Sequence, residues 1–130
     1  MKTYAIADMH GYPLEKFEAL LEKSGFTDAD YLYVLGDVVD RNGDGGVSML
    51  RRIMEMENAE LLLGNHENML LLCEFLFRAD ETPDPSTFTD FQIRAYEHYL
   101  RNGGGVTLEN LRKLRETEPD AVADIFDFAE

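Results

Sequence analysis

The chain has 130 residues and an apolar fraction of 45%, the size of one domain and enough for a real core. Its 26 acidic residues outnumber 12 lysines and arginines, for a net charge of -14. That field excludes nucleic acid and anionic membranes as partners, and it repels a phosphorylated substrate unless bound cations locally reverse the potential. Cys73 stands alone in an apolar helical run, so no internal disulfide can form and a reducing, cytoplasmic setting fits. The segment from Met1 to Asp8 is too short and polar for a signal peptide, and no apolar run approaches a membrane span.

In chain order, Thr3 to Ala7 reads as a buried strand. Leu14 to Ser24 reads as a helix with Leu14, Phe17, Leu20 and Leu21 on one face, stopped by Gly25. Tyr31 to Leu35 is a second strand rich in β-formers. Gly46 to Met56 is a helix with Val47, Leu50, Ile53 and Met54 inward, Glu60 to Leu63 a third strand, and Asn68 to Phe77 a strongly apolar helix. This β-α-β-α-β-α order favours a parallel α/β sheet with right-handed crossovers.

After Leu63 no further strand is expected. Arg78 to Thr87, with Pro83 and Pro85, reads as an exposed loop. Thr89-Asp90-Phe91-Gln92 is a capping box opening a helix to about Arg101, ended by Asn102-Gly103-Gly104-Gly105. Thr107 is suited to cap a short helix to Arg115, and Pro119 to open a last one ending near Ala129. The chain shows no repeat and no internal boundary, so residues 1–130 read as a single domain.

Three short motifs follow the three strands: Asp8-Met9-His10-Gly11, Gly36-Asp37-Val38-Val39-Asp40-Arg41 and Gly64-Asn65-His66-Glu67. Ligands of open α/β sheets gather at the carboxyl ends of strands, where all three sit. Asp8 and His10 are two apart on one turn and can face one cation. Asp37 can bridge two cations through its two oxygens, and Asn65 offers an amide carbonyl. Mixed oxygen and nitrogen ligands suit manganese, iron or zinc. The stretch Asp40-Arg41-Asn42-Gly43-Asp44-Gly45 matches the first half of a calcium-binding EF-hand loop. Its twelfth position is Arg51 rather than Glu, and a strand precedes it, which argues against calcium there.

The set resembles the calcineurin-like metallophosphoesterases, and within them the phosphoprotein (serine/threonine) phosphatase branch, marked by Asp-x-His-Gly, Gly-Asp-x-x-Asp-Arg-Gly and Gly-Asn-His-Glu. The Asn102-Gly103-Gly104 and Thr107 stretch also resembles a loop common in bacterial members. The resemblance implies a phosphatase that hydrolyses a phosphorylated protein or small molecule through two divalent metal ions. It implies that Asp8 and His10 bind the first metal, Asp37 bridges both, and Asn65 binds the second. It further implies that Arg41 clamps the substrate phosphate, and that His66, oriented by Asp40, protonates the leaving oxygen.

This chain departs from that pattern twice. The Gly that usually follows Asp-Arg is Asn42, a residue that tolerates the left-handed backbone a turn requires here. The family also takes two second-metal histidines from strands later in sequence, whereas this chain has only His10, His66 and His98, and His98 reads as a surface or packing residue. The second metal site is therefore incomplete, and the chain reads as a truncated half of the family's αββα sandwich plus C-terminal helices. Two alternatives follow: a metal-dependent phosphoesterase with weak turnover, or a degenerate domain that binds one metal or a partner. The strands call for cover on both faces, which the late helices supply only in part through Phe91, Ile93, Leu111, Leu114, Ile125, Phe126 and Phe128, so self-association is expected.

Overall fold

The structure, a computed structural model, describes residues 1–77 and 84–129. Three parallel strands, β1 (Thr3–Ile6), β2 (Tyr31–Val34) and β3 (Ala59–Leu61), lie in the order β1-β2-β3. Thr3 pairs with Tyr31, Ile6 with Val34, and Val34 in turn with Leu61. Helices α1 (Leu14–Lys23) and α2 (Val47–Glu55) make the two crossovers. Helix α3 (Asn65–Leu72) follows β3, and α4 (Asp90–Arg101), α5 (Gly105–Thr117) and α6 (Pro119–Ala129) complete the chain. The mixed α/β class with a short parallel sheet is as expected from the sequence.

Right-handed crossovers between strands ordered 1-2-3 place both crossover helices on the same face of the sheet. The burial follows from that topology. Leu32 and Val34 point into the core with Phe17 of α1 and Met49, Leu50 and Ile53 of α2, all essentially inaccessible. The alternate residues form the other face. There Thr3 and Ala5 are exposed, the Tyr31 and Tyr33 rings lie 5.1 Å apart and half-buried, and Leu35 and Leu62 are 47% and 48% exposed. The need for cover on both faces is thus met on one only, and Thr3 to Ala7, expected as a buried strand, is corrected to a half-covered one.

The late helices do not cover the open face either. Helix α4 packs on α3, α5 and α6 pack on each other, and both reach α2. They thicken the helical layer instead. Accordingly Leu111, Ile125 and Phe126 are buried, Leu114 is half-buried, and Phe91, Ile93 and Phe128 stay exposed. Leu20, expected inward on α1, is also 44% exposed, because only Phe17 of that helix is fully covered.

The third helix begins three residues earlier than expected. Gly64 is extended (φ -96°, ψ -176°), and the Glu67 carboxylate accepts its backbone N–H at 3.0 Å, so the Gly-Asn-His-Glu motif itself forms the first turn. The helix yields at Cys73 to a 3₁₀ turn over Glu74–Phe77. Of the loop expected over residues 78–87, positions 78–83 lie outside the described residues, and Pro85–Thr87 is a short 3₁₀ turn capped by Asp84. The Thr89–Gln92 capping box is present as expected.

Candidate active site

The strand ends converge because the ladder continues past the strands. The His10 N–H donates to the Asp37 carbonyl and the Gly11 N–H to that of Val38, both at 2.9 Å, zipping the first two loops together. Five residues other than glycine have positive φ among the described residues: Asp8 (54°), His10 (38°), Asp37 (54°), Asp40 (82°) and Arg41 (75°). All five belong to the motifs. A left-handed backbone at such a residue costs about 1–3 kcal/mol, and strain of this kind clusters at functional sites.

The compensation comes largely from Glu67. Its carboxylate is fully buried and accepts the backbone N–H groups of Asp37 (2.6 Å), Val38 (3.0 Å) and Val39 (3.3 Å), besides that of Gly64. Three successive N–H groups form an anion-binding concavity, and the protein's own carboxylate fills it. Bonds to a charged acceptor are each worth about 1.5–3 kcal/mol, enough together to hold the strained loop.

Asp8, His10 and Asp37 each offer a ligand atom, and these atoms lie within 4.8 Å of one another, the one such cluster among the described residues. The tautomer of His10 suits a cation. Its Nδ1 lies 3.0 Å from the Val39 carbonyl oxygen, which can only accept, so Nδ1 carries a proton, and in the uncharged ring the lone pair is on Nε2. Asp37 uses Oδ1 to accept the His66 backbone N–H at 3.1 Å. Behind it, Gly64 is required for space: a Cβ there would stand 2.5 Å from Asp37 Oδ1. An acceptor-rich, partly exposed trio with one imidazole fits a divalent transition-metal ion.

His66 lies beside this cluster, its ring edge-on to that of His10 with centroids 4.5 Å apart. Its Nδ1 is 2.7 Å from Asp40 Oδ2, which turns Nε2 toward the site, and Arg41 Nη2 stands 3.5 Å from that Nε2. Asp40 is fully buried, yet both its oxygens are used: Oδ1 accepts from Thr107 Oγ1 at 2.7 Å and from the Tyr99 hydroxyl. Burial, reinforced by the Asp40 charge, raises the pKa of the Tyr99 phenol well above its ordinary value, so it stays a donor. The Cys73 thiol is pushed up to about 12, first by burial and then by Asp40, and is chemically inert.

Of the residues singled out in the sequence, Asp8, His10, Asp37, Asp40, Arg41 and His66 thus meet at one place. Asn65 sits exposed in the first turn of α3 next to His66. His98 is exposed near the end of α4 and is not part of the ligand cluster found among the described residues. Asn42 is not left-handed; Asp40, Arg41 and Gly43 carry the turn, and Asn42 instead donates Nδ2 to the His10 carbonyl at 2.9 Å. In the EF-hand-like stretch, Asp44 is taken by the Gly46 and Ser48 backbone N–H groups and the Ser48 hydroxyl, while Asp40 faces the other way. Thr107 caps nothing: it lies inside α5, buried against Asp40. Glu67 and Tyr99 were missed as participants. The signal for Glu67 was its motif place, and Tyr99 offered none beyond an aromatic in an amphipathic helix.

Three curated relatives are similar to part of this chain. All are named symmetrical bis(5'-nucleosyl)-tetraphosphatase: from Chromohalobacter salexigens (44% identical), Salmonella paratyphi B (42%) and Buchnera aphidicola subsp. Acyrthosiphon pisum (40%). Each matches over 73 residues, 55% of this chain but only 25–26% of the relative, so the matched stretch spans about a quarter of those proteins. The model of the calcineurin-like phosphoesterase family matches residues 1–128. With strand-end motifs, a candidate metal cluster and that match along nearly its whole length, the chain belongs to the calcineurin-like metallophosphoesterase family.

Proposed function

We propose that this chain is a metal-dependent phosphoesterase of the phosphoprotein-phosphatase type. One observation carries the reading: the His66 ring lies against that of His10 in the Asp8, His10 and Asp37 cluster, and Arg41 stands 3.5 Å from the His66 Nε2. A cation seat, a guanidinium and an imidazole backed by a carboxylate are what hydrolysis of a phosphate ester needs.

Asp8, His10 and Asp37 would hold a first divalent ion, and Asp37 with Asn65 would contribute ligands to a second. Bound divalent ions supply Lewis-acid polarisation of the phosphoryl group and lower the pKa of water. Arg41 is exposed and binds the phosphate oxygens as a bidentate cation, which also offsets the repulsion from a chain of net charge -14. Asp40 holds the His66 Nδ1–H, leaving Nε2 to carry a proton to the departing oxygen. The names of the relatives favour a second substrate reading, dinucleoside polyphosphates, served by the same side chains.

Turnover of p-nitrophenyl phosphate, a phosphoserine peptide and diadenosine tetraphosphate in excess manganese tests both. Release of phosphate from the first two supports the monoesterase reading, and nucleotide products from the third support the alternative. No hydrolysis of any of them at saturating metal would leave a metal-binding domain without turnover.

A further inference from the structure

The Oδ1 of buried Asp40 meets one hydroxyl from α4 and one from α5, on either side of the turn that joins them. We infer that Tyr99 and Thr107 are positioning residues for His66, acting through Asp40: two hydroxyls from late helices fix the carboxylate that fixes the proton-donating imidazole. The inference rests on the reading of His66 as proton donor.

The geometry is specific. Asp40 Oδ2 is committed to His66 Nδ1 and Oδ1 to the two hydroxyls, so the carboxylate has no free direction in which to rotate. Thr107 Oγ1 has a single proton and two acceptors, Asp40 Oδ1 at 2.7 Å and the Gly45 carbonyl at 3.0 Å; the shorter, charged acceptor takes the larger share. The helices are locked onto the loop by backbone as well. The Arg41 N–H donates to the Gly103 carbonyl at 3.0 Å, and Gly45 passes so close to Thr107 that a Cβ there would meet its Oγ1 at 2.4 Å or its backbone nitrogen at 2.6 Å. Both left-handed residues of the Asp40-Arg41 pair are therefore held from the same side. A buried carboxylate short of donors would drift or recruit water, and His66 Nε2 would lose its aim.

The test compares Tyr99→Phe, Thr107→Val, the double variant and Thr107→Ser, with His66→Asn as reference. The first readout needs no turnover: the hydrogen-bonded Nδ1–H of His66 gives a downfield proton resonance in the NMR spectrum, identified by its loss in His66→Asn. The double variant is expected to lose it or shift it upfield while remaining folded by circular dichroism, and Thr107→Ser to retain it. An unchanged resonance in the folded double variant overturns the inference. If the double variant does not fold, the single variants carry the same comparison.

The second readout is leaving-group dependence. Protonation matters more for phenyl phosphate than for p-nitrophenyl phosphate, whose phenolate leaves unaided more readily. Each single variant is expected to lower kcat about tenfold for phenyl phosphate, less for p-nitrophenyl phosphate, with KM little changed. Equal losses on both substrates would make the hydroxyls merely structural and overturn the inference. If His66→Asn itself leaves turnover of phenyl phosphate intact, the proton-donor reading fails instead, and the resonance still decides whether the hydroxyls fix the ring.

Discussion

Two pairs of carboxylates, Asp8 with Asp37 and Asp40 with Glu67, are drawn from the same three motifs and used in opposite ways. At the mouth, Asp8 is exposed and Asp37 half-buried, with acceptor capacity directed at the space they share with His10. Behind them, Asp40 and Glu67 are fully buried, and every direction of approach is taken by a protein donor. The difference teaches how this fold divides labour. Unsatisfied carboxylates in partial contact with water attract cations, while satisfied ones behind them set backbone and ring geometry.

The largest break in that comparison comes from removing a mouth carboxylate. Asp37→Asn keeps an acceptor for the His66 N–H and nearly the same volume, so the loop survives. What it loses is the charge at the proposed cation seat. Calorimetric titration with manganese or zinc is expected to show affinity down by about 10²-fold or more, beyond the 10–100-fold typical of an outer-shell change. Any phosphatase activity should vanish with it. Unchanged affinity would remove Asp37 from the ligand set.

A change behind the mouth should reverse the pattern. Glu67→Gln leaves one oxygen and one NH₂ group facing N–H donors of Asp37, Val38, Val39 and Gly64. At least one pair of donors then points at another donor. Stability to urea is expected to fall by about 2–4 kcal/mol, since hydrogen bonds to a charged group are worth about 1.5–3 kcal/mol each and the lost ones are buried. Metal affinity should fall only through the distorted Asp37 loop. A variant as stable as the parent would show that the loop's left-handed turn holds without its clamp.

The contrast was only half legible in the sequence. The mouth was readable because its residues sit at fixed short offsets directly after strands, and strand ends are where an α/β sheet collects ligands. The clamps were not, because they are defined by long-range contacts: Tyr99 reaches Asp40 across 59 positions and Thr107 across 67. A capping signal misplaced Thr107 for the same reason, since a local pattern outweighed a partner that lay outside any window. The elements themselves were found to within a few residues, Leu14–Lys23 and Pro119–Ala129 among them. That one face of the sheet would lack full cover was legible, but which side stays open was not, because periodicity tells which residues alternate, whereas the strand order decides which side the crossovers leave open.

The smallest effect belongs to a third carboxylate, far from the mouth, that acts purely as a clamp. Asp30 precedes β2 and ties it to the N-terminus: Oδ1 accepts the Lys2 backbone N–H at 2.8 Å, and Oδ2 accepts the N–H of Thr27 at 2.9 Å and its hydroxyl at 3.2 Å. These bonds, the one from Lys2 first, lower its pKa below the ordinary 3.8. The folded state therefore holds the ionised form more tightly than the unfolded chain does. The stabilisation is complete above the unfolded value of 3.8 and is lost as pH falls through the lower folded value. Melting temperature followed from pH 6 to about pH 2 should drop less steeply at the acid end for Asp30→Asn than for the parent, from a lower starting point. Parallel curves would mean that Asp30 titrates alike in both states, and its three donors would then be incidental to the start of the second strand.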